Sequence, residues 1–215
     1  MKEFLLSLLD WIYKKKCYFC GCSHESVKMC SGCADTLEHL PVKVNRIISG
    51  RNVYCCGVYS KNIQKLIRGL KYHRQPELAY YLAKFMYEYH RKITESSSFE
   101  IVPVPLHANR LKKRKYNHMN LVAEELCRLS GCILNTDLVK RVKDTAAQYK
   151  LSKKERKKNL ANAFEVDKSK FNGGKILLID DICTTGATFE EIIGEFKKHN
   201  INDIVCLAAT TPFGE

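Results

Sequence analysis

The sequence predicts an α/β protein: a mainly parallel, twisted sheet with helices on both faces, preceded by a small four-cysteine zinc module. Three observations predict it. Short β-branched runs alternate with amphipathic helical stretches from Val53 to Ala209. The strongest run, Lys175–Ile179, is apolar almost throughout, as a strand buried on both faces requires. Two C-x2-C pairs, nine residues apart, stand ahead of the first strand.

Taken in order, Phe4, Leu5, Leu8, Leu9 and Ile12 recur at helical spacing, and the short helix they predict packs on its own protein in preference to a membrane surface. Asp10 and Lys14–Lys16 end that run far short of the roughly 18 apolar residues a bilayer span needs, so stable membrane insertion is not expected. No small-residue cleavage site follows it. Pro41–Asn52 reads as a linker, which divides the chain into an N-terminal helix and zinc module over residues 1–45 and a larger domain over 46–215. Strands are expected at Val53–Tyr59, Ile101–Val104, Leu138–Val142, Ala163–Val166, Lys175–Ile179 and Ile204–Ala209. Helices are expected at Ile63–Leu70, Pro76–Arg91, Asn120–Ser130 and Thr188–His199.

A chain of 215 residues accommodates one α/β domain with a small appendage and not two large domains. Its net charge of +13 is concentrated. Leu106–His118 holds five Lys/Arg and no acid, and Lys140–Lys158 holds nine against Asp144 and Glu155. Clustering of this kind favours an anionic partner such as nucleic acid, nucleotide or membrane surface over a general preference for surface lysine. Tyr116 and Tyr149 lie among these charges, where they can stack on bases as in single-strand binders. Eleven cysteines, an odd number without a secretion signal, argue against a disulfide framework and for reduced thiols in the cytoplasm.

The sharpest feature is Lys175–Thr188. An apolar strand runs into two adjacent carboxylates, Asp180 and Asp181, then a loop of small residues, Cys183, Thr184, Thr185, Gly186, Ala187 and Thr188, which opens a helix. Ligands bind beyond the carboxyl ends of parallel strands. A helix N-terminus offers unpaired amides and a positive dipole end to a phosphate. Paired acids beside that phosphate suit sugar hydroxyls or a metal-bound sugar, so a ribose 5-phosphate satisfies every part. The competing reading is an ordinary strand–turn–helix with acids at its mouth.

Cys17, Cys20, Cys30 and Cys33 can close a tetrahedral structural zinc site, with Cys22 and His24 as spare ligands; a redox pair is the alternative. Cys55, Cys56, Cys127, Cys132 and Cys206 stand in apolar contexts as small core residues, and Cys183 reads as loop filler before a reactive thiol.

The segment Lys175–Thr188 resembles the phosphoribosyl pyrophosphate (PRPP) motif of type I phosphoribosyltransferases: hydrophobic residues, a paired acid, then T-T-G-x-T. That resemblance implies that Asp180 and Asp181 contact the ribose hydroxyls and that residues 183–188 cradle the 5′-phosphate. It also implies Mg²⁺ between pyrophosphate and ribose, Arg110, Arg114 and Lys115 near a pyrophosphate loop, and Lys143 to Arg156 near a mobile loop. Over residues 17–210 the chain is similar to the ComF family, the ComFC-like group of natural transformation. The residues carrying the likeness are Pro103-Val104-Pro105, Arg114, Asn117, Thr145, Gln148, Leu151, Arg156, Asn159, Ala163 and Phe164. Where the family has R-G-F-N-Q, this chain has Arg114-Lys115-Tyr116-Asn117-His118. The resemblance implies a protein that handles single-stranded DNA during DNA uptake and binds PRPP with Mg²⁺. The alternatives are an active phosphoribosyltransferase with an unidentified nitrogen acceptor, and a non-catalytic adaptor whose zinc module docks a DNA-uptake helicase.

Overall fold

A computed structural model describes residues 16–23, 28–93, 99–145 and 159–212. The expected helix over residues 4–12, and His24, Gln148, Tyr149, Leu151 and Arg156, lie outside the described residues. The elements are α1 (Ser31–Ala34), β1 (Arg46–Ile48), β2 (Arg51–Val58), α2 (Lys61–Tyr72), α3 (Leu78–Ile93), β3 (Phe99–Pro103), α4 (Ala108–Arg114), α5 (His118–Ser130), β4 (Ile133–Leu134), β5 (Val139–Arg141), β6 (Phe164–Val166), a 3₁₀ turn (Lys168–Lys170), β7 (Lys175–Ile182), α6 (Ala187–Lys198) and β8 (Ile204–Thr211).

Six strands form one sheet in the order β1-β2-β8-β7-β3-β4. All neighbours are parallel except β1, which pairs antiparallel with β2. The chain leaves β3 towards β4 and leaves β7 towards β8, in opposite directions across the sheet. The carboxyl ends of β3 and β7 therefore flank a topological switch point, where α/β sheets open a crevice.

Strand alternation builds two cores. Leu177, Ile179, Ile101 and Leu207 point to one face, beneath α2, α3 and α5. Ile176, Leu178, Val102 and Cys206 point to the other, beneath α6 and the β5–β6 pair. Each fully buried Leu or Ile contributes roughly 1.5–3 kcal/mol of burial energy. The mainly parallel α/β sheet read from the sequence is thus present, with one qualification: β5 and β6 form their own two-stranded sheet.

Three elements depart from the sequence reading. The expected linker Pro41–Asn52 contains β1 and a two-residue turn, Ser49-Gly50, with φ of 51° and 78°. Two left-handed residues in succession give the turn twist that matches a hairpin. Strand β4 is only two residues long, too short to show periodicity. Helix α4 forms within the basic stretch, N-capped by the His107 ring, which accepts from the Asn109 amide at 3.3 Å.

Among the described residues no helix is long and apolar enough to cross a membrane. The cysteine module rests on α2 and α3. Tyr18 Oη lies 2.6 Å from His73 Nδ1, Lys65 Nζ donates to the Phe19 carbonyl at 2.8 Å, and the Lys28 amide donates to Tyr81 Oη at 3.2 Å. Gly69 permits this approach, because a Cβ there would lie 3.2 Å from the Tyr18 ring and would strike Leu78.

Candidate phosphate-loop site and cysteine cluster

Strand β7 delivers Asp180 and Asp181 to the switch point, and alternation sends them to opposite faces. Asp181 turns towards α2 and α5. It is 4 % exposed, forms an ion pair with Lys71 and lies 2.5 Å from His118 Nε2. Burial alone would raise its carboxyl pKa, but Lys71 and His118 outweigh that and hold it well below the usual range. Burial conversely pushes the His118 imidazole down to about 4, against the pull of Asp181. Asp180 turns to the other face, with Arg141 among the groups that bear on it. Its burial and the neighbouring Asp181 charge raise its pKa, only partly offset by Lys71 and Arg141. The paired acid is therefore one anchored carboxylate and one under-compensated carboxylate.

The loop Cys183–Thr188 lines a small open concavity together with Asp180. Gly186 caps α6 at φ 79°, and any side chain there would collide with Ile48 of β1. Arg46 of the same strand donates to the Thr184 carbonyl at 2.8 Å, and the Cys183 amide donates to Thr210 at 2.8 Å. The hairpin read as a linker thus braces the loop 183–188. Thr185 Oγ1 accepts from the Ala187 amide at 3.4 Å. Ala187, Thr188 and Phe189 of the first turn of α6 line the same concavity, at the helix end where amides lack intrahelical partners and the dipole is positive. Cys183 is buried against Cys55, which lowers its pKa; the same contact, with burial, raises Cys55.

The basic residues divide. Arg110 donates to the Thr145 carbonyl at 2.7 Å, and Arg141, pushed down to about 10 by burial, bonds Thr145 Oγ1. Asn109 and His107 hold Asp144, at 2.6 Å and 3.6 Å. These contacts tie α4 to the chain just after β5, on the Asp180 side. Arg114 faces the other way, 2.9 Å from His118 Nδ1 and over the Tyr72 ring. Lys115 is exposed, and Lys143 donates to the Ala161 carbonyl at 3.2 Å. Tyr116 is half-buried with its hydroxyl on the Leu70 carbonyl at 2.7 Å.

Lys71, Arg141 and Arg46 were not singled out from the sequence, and His118 stood there only as a departure from the family pattern. Lys71 had a signal: it falls four residues after Ile67 and eight after Ile63, on the apolar stripe of α2, where a lysine needs a buried partner.

In the N-terminal module, one ligand atom from each of Cys17, Cys20, Cys30 and Cys33 lies within 4.8 Å of the others. The Cys17–Cys33 and Cys20–Cys30 sulfurs are 3.9 Å and 3.7 Å apart. A tetrahedron with metal–sulfur bonds of about 2.3 Å has edges of about 3.8 Å. The Phe19 and Cys30 amides donate to Cys17 Sγ at 3.4 Å and 3.5 Å, neutralising thiolate charge. The four cysteines can hold a metal ion such as zinc. Cys22 Sγ stands 2.9 Å from Cys20 Sγ, outside that set.

No protein-family model matches the chain. Among curated proteins it is similar to competence protein F of Haemophilus influenzae, 31% identical over 193 residues, covering 86% of this chain and 81% of that protein. It is also similar to DNA utilization protein YhgH of Salmonella typhimurium, 28% identical over 78% of this chain and 77% of that protein. The YhgH of Escherichia coli is 33% identical over 62% of this chain and 60% of that protein. With the Haemophilus protein matched along most of both chains, the present chain belongs to the competence protein F (ComF) family.

Proposed function

We propose that this protein handles single-stranded DNA in the cytoplasm during DNA uptake in natural transformation, and that it binds PRPP with Mg²⁺ at the end of β7. Its relatives are named for competence and DNA utilization. The clustered positive charge suits a polyanion. The observation that carries the PRPP reading is the join of β7 to α6: a braced loop with left-handed Gly186, opening a helix N-terminus beside a carboxylate at the switch point. On this reading the fold is of the type I phosphoribosyltransferase kind.

The roles divide between the two acids. Residues 183–188 take the 5′-phosphate, and Asp180 faces the ribose. Asp181, held by Lys71 and His118, positions the strand end. Asp180 suits a cation brought by PRPP, because its ionised form lacks full compensation. Mg²⁺, when bound, supplies charge neutralisation to the pyrophosphate. Arg110 and Arg141 lie on the same side and offer positive charge to that group.

Calorimetry with Mg²⁺ and PRPP tests this. The wild type binds and Asp180→Ala does not; equal binding by both sinks the reading. A second reading, transfer of ribose 5-phosphate to a nitrogen acceptor, is favoured by these two arginines, which can stabilise departing pyrophosphate. Pyrophosphate release across a panel of nucleobases and amines checks it.

A further inference from the structure

The C-terminal end of α2 and the end of α4 meet at the surface. Tyr72, the last residue of α2, is 62 % exposed, a large value for an aromatic that already has a partner. That partner is Arg114, whose guanidinium carbon stands 5.6 Å from the ring centroid. Arg114 is itself fixed from behind by His118. The two helix ends are pinned by Tyr116 Oη on the Leu70 carbonyl. The Tyr72 ring is thus held by a cation while keeping most of its surface open.

Two further cations stand just past the two helix ends, each on a left-handed backbone: Arg74 at φ 52° and Lys115 at φ 73°. Non-glycine residues rarely adopt this conformation, and here it turns the chain sharply just past each helix. Both side chains are exposed. One acid, Glu77, lies within electrostatic reach of Tyr116 and stands 4.0 Å from Lys28.

We propose that Tyr72 with Arg114 forms the base-stacking platform for single-stranded DNA, and that Arg74 and Lys115 meet the adjacent phosphates. This rests on the single-strand reading above and seats the strand on residues other than the loop 183–188. Single-strand binders combine an aromatic face for bases with cations that follow the backbone. An exposed tyrosine beneath an arginine, with two exposed cations just past the same helix ends, has that composition. The stacking role moves from Tyr116, whose hydroxyl joins the two helices, to Tyr72.

Anisotropy with a labelled oligothymidine, on the full chain with its metal, tests the proposal. Tyr72→Ala is expected to weaken binding by about five- to hundredfold, and Tyr72→Phe to bind like wild type. Arg74→Ala and Lys115→Ala are each expected to lower the slope of log affinity against log salt by about 0.7. Lys168→Ala, on the opposite side of the sheet, is expected to leave binding near wild type. Photocrosslinking of a bromouridine-bearing strand to the unaltered protein is expected to mark Tyr72, which removes dependence on variant folding. Wild-type binding with Tyr72→Ala unchanged and crosslinks elsewhere overturns this surface and leaves the DNA reading intact. Absence of salt-sensitive binding by the wild type overturns both.

Discussion

Lys71 and Asp181 form a buried ion pair that joins α2 to the carboxyl end of β7. His118 completes it from α5, so one carboxylate ties three elements together at the switch point. Removing one member of a buried pair strands the other charge and costs about 3–5 kcal/mol. Lys71→Met is therefore expected to destabilise the protein by about 3 kcal/mol or more. Asp181→Asn is expected to do the same, and the double variant to lose clearly less than the sum. Urea unfolding of the four proteins measures the coupling; strict additivity would show that the pair is not energetically joined.

Asp180 predicts a separable effect. Its folded pKa is raised above the ordinary carboxylate value, with burial and Asp181 as causes. Over the window between that ordinary value, about 4, and the raised one, the folded state holds the extra proton. Stability contributed by Asp180 accordingly falls as pH rises through the window. Asp180→Asn is expected to raise the melting temperature near pH 7.5, and the gain is expected to vanish as pH approaches 4. The same variant is expected to lose Mg²⁺–PRPP binding. Gained stability with lost binding marks a site held under strain for its ligand, whereas a destabilised variant would contradict the raised pKa.

Legibility in the sequence followed physical range. The apolar run of β7 and the amphipathic stripes of α2, α3, α5 and α6 are periodic over many residues, and each appears within a few residues of its expected span. The loop 183–188 was visible because small residues and a glycine must stand in order there. The partition of Asp180 from Asp181 was also legible in principle, since consecutive strand residues alternate faces, but the family likeness treats them as a pair. What faces them was not legible. Lys71 and His118 reach Asp181 across gaps of 110 and 63 positions in the chain, the charge of Arg141 bears on Asp180 across 39, and no local pattern encodes such relations. The bracing of Gly186 by Ile48 came from a hairpin too short to outweigh the Pro41–Asn52 composition.

The cysteine geometry predicts one metal ion per chain. Native mass spectrometry is expected to find one zinc, and Cys20→Ser or Cys33→Ser to remove it. Cobalt replacing zinc is expected to give thiolate charge-transfer absorption with tetrahedral ligand-field bands. Chelation is expected to loosen the module from α2, because Tyr18 and Phe19, which contact His73 and Lys65, lie between the first two ligands. Protease cleavage near residue 30 would then appear while the sheet remains protected. An intact metal-free module would show that packing on α2 and α3 suffices without the ion.

Lys115 supplies the last prediction. It occupies the place where the family pattern carries glycine, and it holds the left-handed conformation, φ 73°, that glycine adopts without cost. Its amide donates to the Leu111 carbonyl at 2.7 Å, ending α4 as a left-handed cap. A side chain there costs roughly 1–2 kcal/mol, part of which glycine returns through the entropy of the unfolded chain. Lys115→Gly is expected to stabilise by about 0.5–1 kcal/mol, a rise of roughly 1–4 °C in melting temperature. If Lys115 meets a DNA phosphate, the same variant is expected to bind oligothymidine more weakly and with a shallower salt dependence. Higher stability with weaker binding would show that the lysine is kept at this strained position for its charge. Higher stability with unchanged binding would remove Lys115 from the DNA surface.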